Sequence, residues 1–275
     1  MSEFLSYKNK RVVITGCFSG MGEATAKLLL GLGAEVHGLD YQECTLPLAS
    51  FNRLDLRDPA SIDAAVDRIE GKIDAVFNCA GVPSTFAPID IFKVNYIGPR
   101  RLTDRLLPRI VEGGAIACIA STAGFAWQRS VADLTPLLAI VSYEEAVAWC
   151  EERLKGPGDA YSLSKATIII WAQLHAAKLI KRGVRMNCTL PGPTSTPFME
   201  QQSTITPDAA IDAFTQPIDR RSLPVEQAWP LVFLNSDAAS YVNGVALPVD
   251  GGFVGAVATG AIDLAKLFST NPKVS

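Results

Sequence analysis

The sequence predicts a doubly wound parallel α/β sheet with helices on both faces, and three observations predict it. Short apolar runs recur along the whole chain, at Arg11–Thr15, Glu35–Leu39, Asp74–Asn78, Ala115–Ala120, Val184–Leu190 and Val245–Val249. Stretches with helical apolar spacing separate these runs, and that alternation is the pattern of parallel strands joined by crossover helices. The first run passes through a glycine turn, Thr15-Gly-Cys-Phe-Ser-Gly-Met-Gly22, straight into the helix formers of Glu23 to Leu32.

Taken in order, each element has a reason. Arg11-Val-Val-Ile-Thr15 is a near-continuous apolar run, which suits a strand buried on both faces. The glycines that follow let the backbone approach a pyrophosphate, and the free amides at a helix start stabilise its charge. A tight turn of small residues would look the same in isolation; strand, glycine turn and helix in succession point to nucleotide binding. The second run ends on Asp40. A carboxylate there can accept from an adenosine ribose and would repel an additional phosphate, and no arginine follows at Tyr41 or Gln42 to offset it. Asp40 therefore argues for NAD over NADP, although an aspartate capping a turn would also end a strand this way. Asp58-Pro59 opens a helix as N-cap and first residue, with Ile62, Ala65, Val66 and Ile69 on its apolar face. The run Asp74–Asn78 leads into Cys79-Ala-Gly81, Asn95 falls in a helical stretch, and Ala115–Ala120 delivers Ser121.

Tyr161 and Lys165 stand four residues apart in Asp159-Ala-Tyr-Ser-Leu-Ser-Lys-Ala-Thr, one turn from each other on a single helical face. A phenol titrates near ~10 and is a poor base at neutral pH. A neighbouring ammonium favours the phenolate and makes proton exchange with an alcohol or ketone oxygen feasible.

Composition excludes several classes. Of the 275 residues 48% are hydrophobic and 19% charged, as in a globular chain with a full core. The formal charge of −3, with no dense Lys/Arg run, gives nucleic acid nothing to bind. No apolar stretch approaches the ~20 residues of a membrane span, and Met1 to Arg11 lacks a signal-peptide core, so a cytoplasmic protein is expected. Six cysteines without a CxxC pair read as buried thiols, not as disulfides or metal ligands. The two histidines, His37 in a strand and His175 in a helix, are far from any nucleophile motif. A Ser-His-Asp hydrolase or a metal site is thus unsupported. With neither repeat nor linker, residues 1–275 are expected to form one domain.

In this order the motifs resemble the short-chain dehydrogenase/reductase family, over roughly Lys10 to Phe253. The resemblance implies a Rossmann-type fold and a nicotinamide cofactor. It assigns the cofactor loop to Gly16, Ser19, Gly20, Met21 and Gly22, and the adenosine end to Asp40, Asp55 and Leu56. It further assigns Asn78, Ala80 and Gly81 of Asn78-Cys-Ala-Gly81, where Cys79 replaces the family's second asparagine, and the carboxamide contacts Pro191, Gly192, Thr194 and Thr196. Val249-Asp-Gly-Gly252 matches the family's usual ending. Tyr161 becomes the general acid/base, and Lys165 also binds the nicotinamide ribose. Ser121 polarises the substrate oxygen, with Thr122 as its nearest rival. Asn95 holds a water that links Lys165 to solvent, or serves as a structural, helix-distorting asparagine.

Tyr161 lies 40 positions after Ser121, a longer spacing than most of the family uses. The extra segment, about 127–159, contains the apolar run Val131–Val141 and a capping box at Ser142-x-x-Glu145. Tyr143, Val147, Cys150 and Leu154 then recur on one helical face, and Gly156-Pro-Gly158 closes that helix. This placement is similar to that of bacterial 3α-hydroxysteroid dehydrogenase/carbonyl reductases, in which the insertion alters the subunit interface. It leaves open whether the segment meets substrate or a partner subunit in a homodimer or homotetramer. Trp127, Phe198 and Met199 are expected to wall an apolar pocket for a steroid, terpene or other bulky alcohol, though each also suits a core. The expected reaction is hydride transfer between NAD and a secondary alcohol or ketone. The alternatives are a 3-oxoacyl-thioester reductase and a non-catalytic dinucleotide sensor.

Overall fold

The computed structural model describes residues 5–154 and 156–270; the first four residues of the polar N-terminus, Lys155 and the last five residues of the tail lie outside them. Seven strands form one sheet: β1 (Arg11–Thr15), β2 (Glu35–Asp40), β3 (Ser50–Arg53), β4 (Ile73–Asn78), β5 (Ile110–Ile119), β6 (Arg185–Pro191) and β7 (Ala246–Val249). Their order is β3-β2-β1-β4-β5-β6-β7, every neighbouring pair parallel. Six of the seven coincide with the apolar runs. The seventh, β3, has no such signal, because Ser-Phe-Asn-Arg is a four-residue edge strand with alternating polar residues.

The helices are α1 (Gly20–Gly31), α2 (Pro59–Asp67), α3 (Pro88–Phe92), α4 (Gly98–Leu106), α5 (Val131–Ala139), α6 (Tyr143–Glu151), α7 (Pro157–Leu179), α8 (Pro197–Ser203), α9 (Asp208–Asp212), α10 (Pro224–Asn235), α11 (Phe253–Ala258) and α12 (Leu264–Thr270). None of them, among the described residues, is long and apolar enough to cross a membrane. Strand side chains alternate between two apolar layers, as the two-residue pleat requires. Val13, Val76, Ile116 and Cys118 join the core beneath α2, α4 and α7, and Val12, Ile14, Phe77 and Ala117 join the one beneath α1 and α10. All the strand C-termini consequently face one edge, and the strand order reverses between β1 and β4, where α/β sheets open a crevice.

The segment after Ser121 differs from expectation in three ways. Ser142 caps α6 through the Glu145 amide at 3.2 Å, but its hydroxyl is paired with Glu144 at 3.1 Å, so the box has one arm. The helix stops at Glu151, before Gly156-Pro157, and that dipeptide opens α7 as its N-cap and first residue. The apolar face of α5 and α6 (Leu134, Leu137, Leu138, Tyr143, Ala146, Cys150) is buried in the main core, against α3 and α7.

Candidate active site

The strand C-termini border a large cleft of ≈ 1240 Å³. This exceeds the ~300–1,000 Å³ of an ordinary small-molecule pocket and leaves room for two ligands side by side. Its glycine loop is built by close approach. Gly16 has φ +74°, and a Cβ there would lie 2.7 Å from the Ala80 amide nitrogen. A Cβ on Gly22 would collide with the Gly16 carbonyl. Thr15, which the motif reading left without a role, accepts from the Cys79 and Ala80 amides at 3.1 and 3.2 Å and ties β1 to the loop after β4. Gly16, Ser19, Gly20, Met21 and Gly22 line this end, with the α1 N-terminus among them.

Asp40 sits at the β2 terminus, also on the cleft. Its two carboxylate oxygens accept the Phe18 and Gln42 amides at 2.9 and 3.0 Å, so the turn-capping role is realised and each oxygen keeps a further lone pair. One neighbouring cation comes from an element the sequence did not reveal. Arg53 of β3 is in register with Asp40. Arg53 and Arg57 place their guanidinium carbons 5.0 and 5.7 Å from the Tyr41 ring. Asp55 and Leu56 line the same end, and the Asp55 carboxylate is clamped by Arg57 at 2.9 and 2.8 Å. That clamp holds the Asp55 carboxyl below the usual range.

Ala80 and Gly81 reach the cleft, whereas Asn78 does not. Its amide is buried and donates to Thr103 at 3.0 Å, so its place is behind the sheet edge. Pro191, Gly192, Thr194 and Thr196 line the opposite wall. Both threonine hydroxyls serve the backbone: Thr194 donates to the Gly192 carbonyl at 3.0 Å, and Thr196 caps α8 through the Met199 amide at 3.2 Å.

Ser121, Tyr161 and Lys165 all line the cleft. Ser121 lies beside the Tyr161 phenol, and its hydroxyl caps the turn that follows by accepting the Ala123 amide at 3.1 Å. The rival Thr122 is buried, with its hydroxyl committed to the Pro191 carbonyl at 3.2 Å, which favours Ser121 as the group open to a ligand. Lys165 is 3% exposed. Its Nζ donates to the Ile119 carbonyl at 3.1 Å and lies 5.7 Å from the Tyr161 ring centroid. Burial pushes the phenol up to about 12, partly opposed by Ser121, and pushes the Lys165 ammonium down to about 8. The expectation that the lysine lowers the phenol is therefore corrected for the protein alone: here desolvation outweighs charge, and the ammonium's bond goes to Ile119.

Asn95 occupies a π-helical turn, Lys93–Ile97, between α3 and α4. It is buried, accepts the Val82 amide at 2.9 Å and donates to Ser164 at 3.1 Å, one residue from Lys165. A Cβ on Gly81 would lie 3.3 Å from its Oδ1 and 3.6 Å from Lys165 Nζ, so both flank Gly81. The helix-distorting reading is realised, and the side chain remains beside the lysine.

Phe198 and Met199 of α8 line the cleft, and the Phe198 ring stands 6.0 Å from the Tyr161 ring. Trp127 does not line it: the indole packs against the core cluster, the common fate of a large apolar side chain. The Val131–Val141 run is likewise away from the cleft. The apolar wall comes instead from Phe86, Phe125, Ile205, Phe214 and Phe253. These residues lie in segments that sequence alone gave no reason to bring together. Gln202 of α8 crosses to the far side, accepting the Ser84 amide at 3.0 Å.

Comparison with known proteins agrees with this geometry. Residues 10–132 match the family model described as short chain dehydrogenase, and residues 146–254 the one described as enoyl-(acyl carrier protein) reductase. A coniferyl-alcohol dehydrogenase of Pseudomonas sp. is 36% identical over 245 residues, covering 89% of this chain and 96% of the relative. The chain belongs to the short-chain dehydrogenase/reductase family. Another member, a 3-alpha-hydroxysteroid dehydrogenase/carbonyl reductase of Comamonas testosteroni, is 33% identical over 88% of this chain and 95% of its own length. Among solved structures of the family, the 3-alpha-hydroxysteroid dehydrogenase of Pseudomonas sp. B-0831 complexed with NADH superposes with TM-score 0.78 at 30% identity, covering 92% of this chain and 100% of that one.

Proposed function

We propose that this protein is an NAD-dependent dehydrogenase/reductase that interconverts a secondary alcohol and a ketone, acting on a bulky apolar substrate. The observation that carries the reading is the convergence of Ser121, Tyr161 and Lys165 in one cleft with the glycine loop and Asp40. The chain's residues fit a dinucleotide. Side chains at Gly16 and Gly22 are excluded by the backbone itself, and an acceptor stands at the end of β2. Gly16, Ser19, Gly20, Met21 and Gly22 would hold the pyrophosphate, Asp40, Asp55 and Leu56 the adenosine, and Pro191, Gly192, Thr194 and Thr196 the nicotinamide side. When bound, NAD supplies the hydride acceptor for oxidation and its reduced form the donor for reduction.

The remaining work falls to side chains. Tyr161 takes the proton from the alcohol oxygen during oxidation and returns it during reduction. Ser121 holds that oxygen and stabilises the ionised phenol. Lys165, beside the phenol and shielded from water, stabilises the same ionised state while it carries its own proton. Asn95 positions the Lys165 turn through Ser164 and borders the path by which the lysine exchanges protons. Ala80 and Gly81 shape the wall beside them, and Asn78 supports it from behind through Thr103.

Support for the substrate class is the set of aromatic residues lining the cleft, Phe86, Phe125, Phe198, Phe214 and Phe253, of which Phe198 stands beside Tyr161. The names of the relatives, one for coniferyl alcohol (a primary alcohol) and one for a hydroxysteroid (a secondary one), support a ring-bearing substrate, and the hydroxysteroid alone supports the secondary alcohol. A turnover panel running from aryl alcohols and hydroxysteroids to small polyols, with NAD, tests it. Preference for the ring-bearing alcohols is expected; equal turnover of polyols would sink it. The match of residues 146–254 to an acyl-carrier reductase model supports a second reading, reduction of a 3-oxoacyl thioester, and Asp40 weighs against its usual phosphorylated cofactor. Turnover of acyl thioesters and not of free alcohols would favour it.

A homo-oligomer is part of the proposal. Val225, Trp229 and Phe233 recur every fourth residue on α10 and are all exposed, an apolar row suited to a second copy. Light scattering that finds only monomer at micromolar concentration would remove this part.

A further inference from the structure

Of the insertion's residues, few reach the cleft, yet one of them touches the wall from behind. Tyr143, the first residue of α6, is buried at 5% exposure. Its phenol donates to the Leu56 carbonyl at 3.0 Å, joining positions 87 residues apart. Leu56 belongs to the strip after β3 that lines the adenosine end of the cleft, next to Asp55 and its Arg57 clamp. From another direction the same carbonyl is approached by Gly98, where a Cβ would collide with it. The Leu56 peptide is thus held between the start of α4 and the start of α6. It has no strand partner of its own at this point, because β3 ends at Arg53.

We propose that the insertion serves the cofactor end of the site, with Tyr143 as a positioning residue that fixes the Asp55–Leu56 strip against the adenosine portion of the dinucleotide. This rests on the reading of the cleft as an NAD site. Loss of the phenol hydroxyl leaves a buried carbonyl without its donor, and the strip can then relax from the geometry that receives the adenosine. A net hydrogen bond of ~1 kcal/mol corresponds to a roughly fivefold change in a dissociation constant. The reacting centre has other bonds: the Tyr143 phenol ends on Leu56, whereas Ser121 bonds the Ala123 amide and Lys165 the Ile119 carbonyl.

The test is calorimetric titration of the intact protein with NAD and with ADP-ribose, which lacks the nicotinamide. Tyr143→Phe keeps the ring and its packing. It is expected to weaken both ligands about fivefold while leaving kcat at saturating NAD and KM for the alcohol unchanged. Ser142→Ala, which loosens the first turn of α6 without touching the tyrosine, is expected to weaken ADP-ribose in the same direction by less. Tyr96→Phe removes another buried phenol bond, to Arg100 at 3.0 Å, and is expected to leave ADP-ribose binding unchanged. Unchanged ADP-ribose affinity in both Tyr143→Phe and Ser142→Ala overturns the proposal, as does an equal loss in Tyr96→Phe. A wild-type protein that binds neither NAD nor ADP-ribose would instead overturn the cofactor reading itself.

Discussion

Lys165→Met should make this protein more stable while removing its activity. Lys165 is almost fully buried, and burial moves its ammonium from 10.5 to about 8. Keeping that group charged at neutral pH therefore costs the folded state about 3 kcal/mol. Methionine has a similar reach and no charge, but it leaves the Ile119 carbonyl without its donor, a loss of about 1 kcal/mol. The net gain is about 2 kcal/mol, or ~4–8 °C in Tm for a chain of this size. The pH dependence has a definite sign. The folded lysine has the lower pKa, so the unfolded chain binds more protons between pH 8 and 10.5, and wild-type stability rises across that window. The advantage of Lys165→Met is accordingly full below pH 8, shrinks between 8 and 10.5, and above that gives way to the ~1 kcal/mol cost of the lost Ile119 bond. Differential scanning calorimetry without cofactor, at fixed protein concentration across this range, measures it. A variant that melts lower than wild type at neutral pH, or a difference that ignores pH, would refute the claim that Lys165 is held at an electrostatic cost.

Three further outcomes are expected. Alcohol oxidation should rise with pH through an apparent value near 8, set by the Tyr161–Lys165 pair, because the first proton to leave the pair is the one burial loosens most; a flat kcat/KM profile from about pH 6 to 10 contradicts this. Asp40→Ser should raise NADP affinity at least about tenfold, since it removes the carboxylate and leaves Arg53 in register beside the site; fluorescence titration showing no gain would mean that Arg53 cannot reach a ribose phosphate. Gln202→Met should release α8 from Ser84 and raise KM for bulky alcohols several-fold, with Gln202→Glu, which keeps the acceptor, close to wild type; equal KM values in the two variants would deny the side chain this role.

Much of this architecture is legible in the sequence because buried parallel strands must be continuous apolar runs. Runs such as Arg11–Thr15 and Asp74–Asn78 leave little choice of structure. The edge strand β3 escapes the same logic, since Ser50-Phe-Asn-Arg53 is half-exposed and short, and with it escapes Arg53, one of the two arginines around Tyr41. Tyr161 and Lys165 are recognisable because helical spacing alone brings them together. The residues that complete the apolar wall, Phe86, Phe214 and Phe253 among them, come from distant loops and short helices whose meeting depends on tertiary packing. Trp127 shows the limit from the other side. It lies close to Ser121 in the chain and is large and apolar, yet those are also the properties of a core residue, and the core is where it packs. Asn78 follows a similar course, a motif residue whose amide supports the site from beneath through Thr103.

The measurement that tests the central claim most directly is NADH formation from a ring-bearing secondary alcohol, by the wild-type protein and by Tyr161→Phe in parallel, with NAD and with NADP. The account predicts turnover with NAD, little with NADP, and a loss of at least ~10²-fold in the variant while NAD still binds. Turnover that survives removal of the phenol would contradict the assignment of Tyr161 as the group that handles the proton.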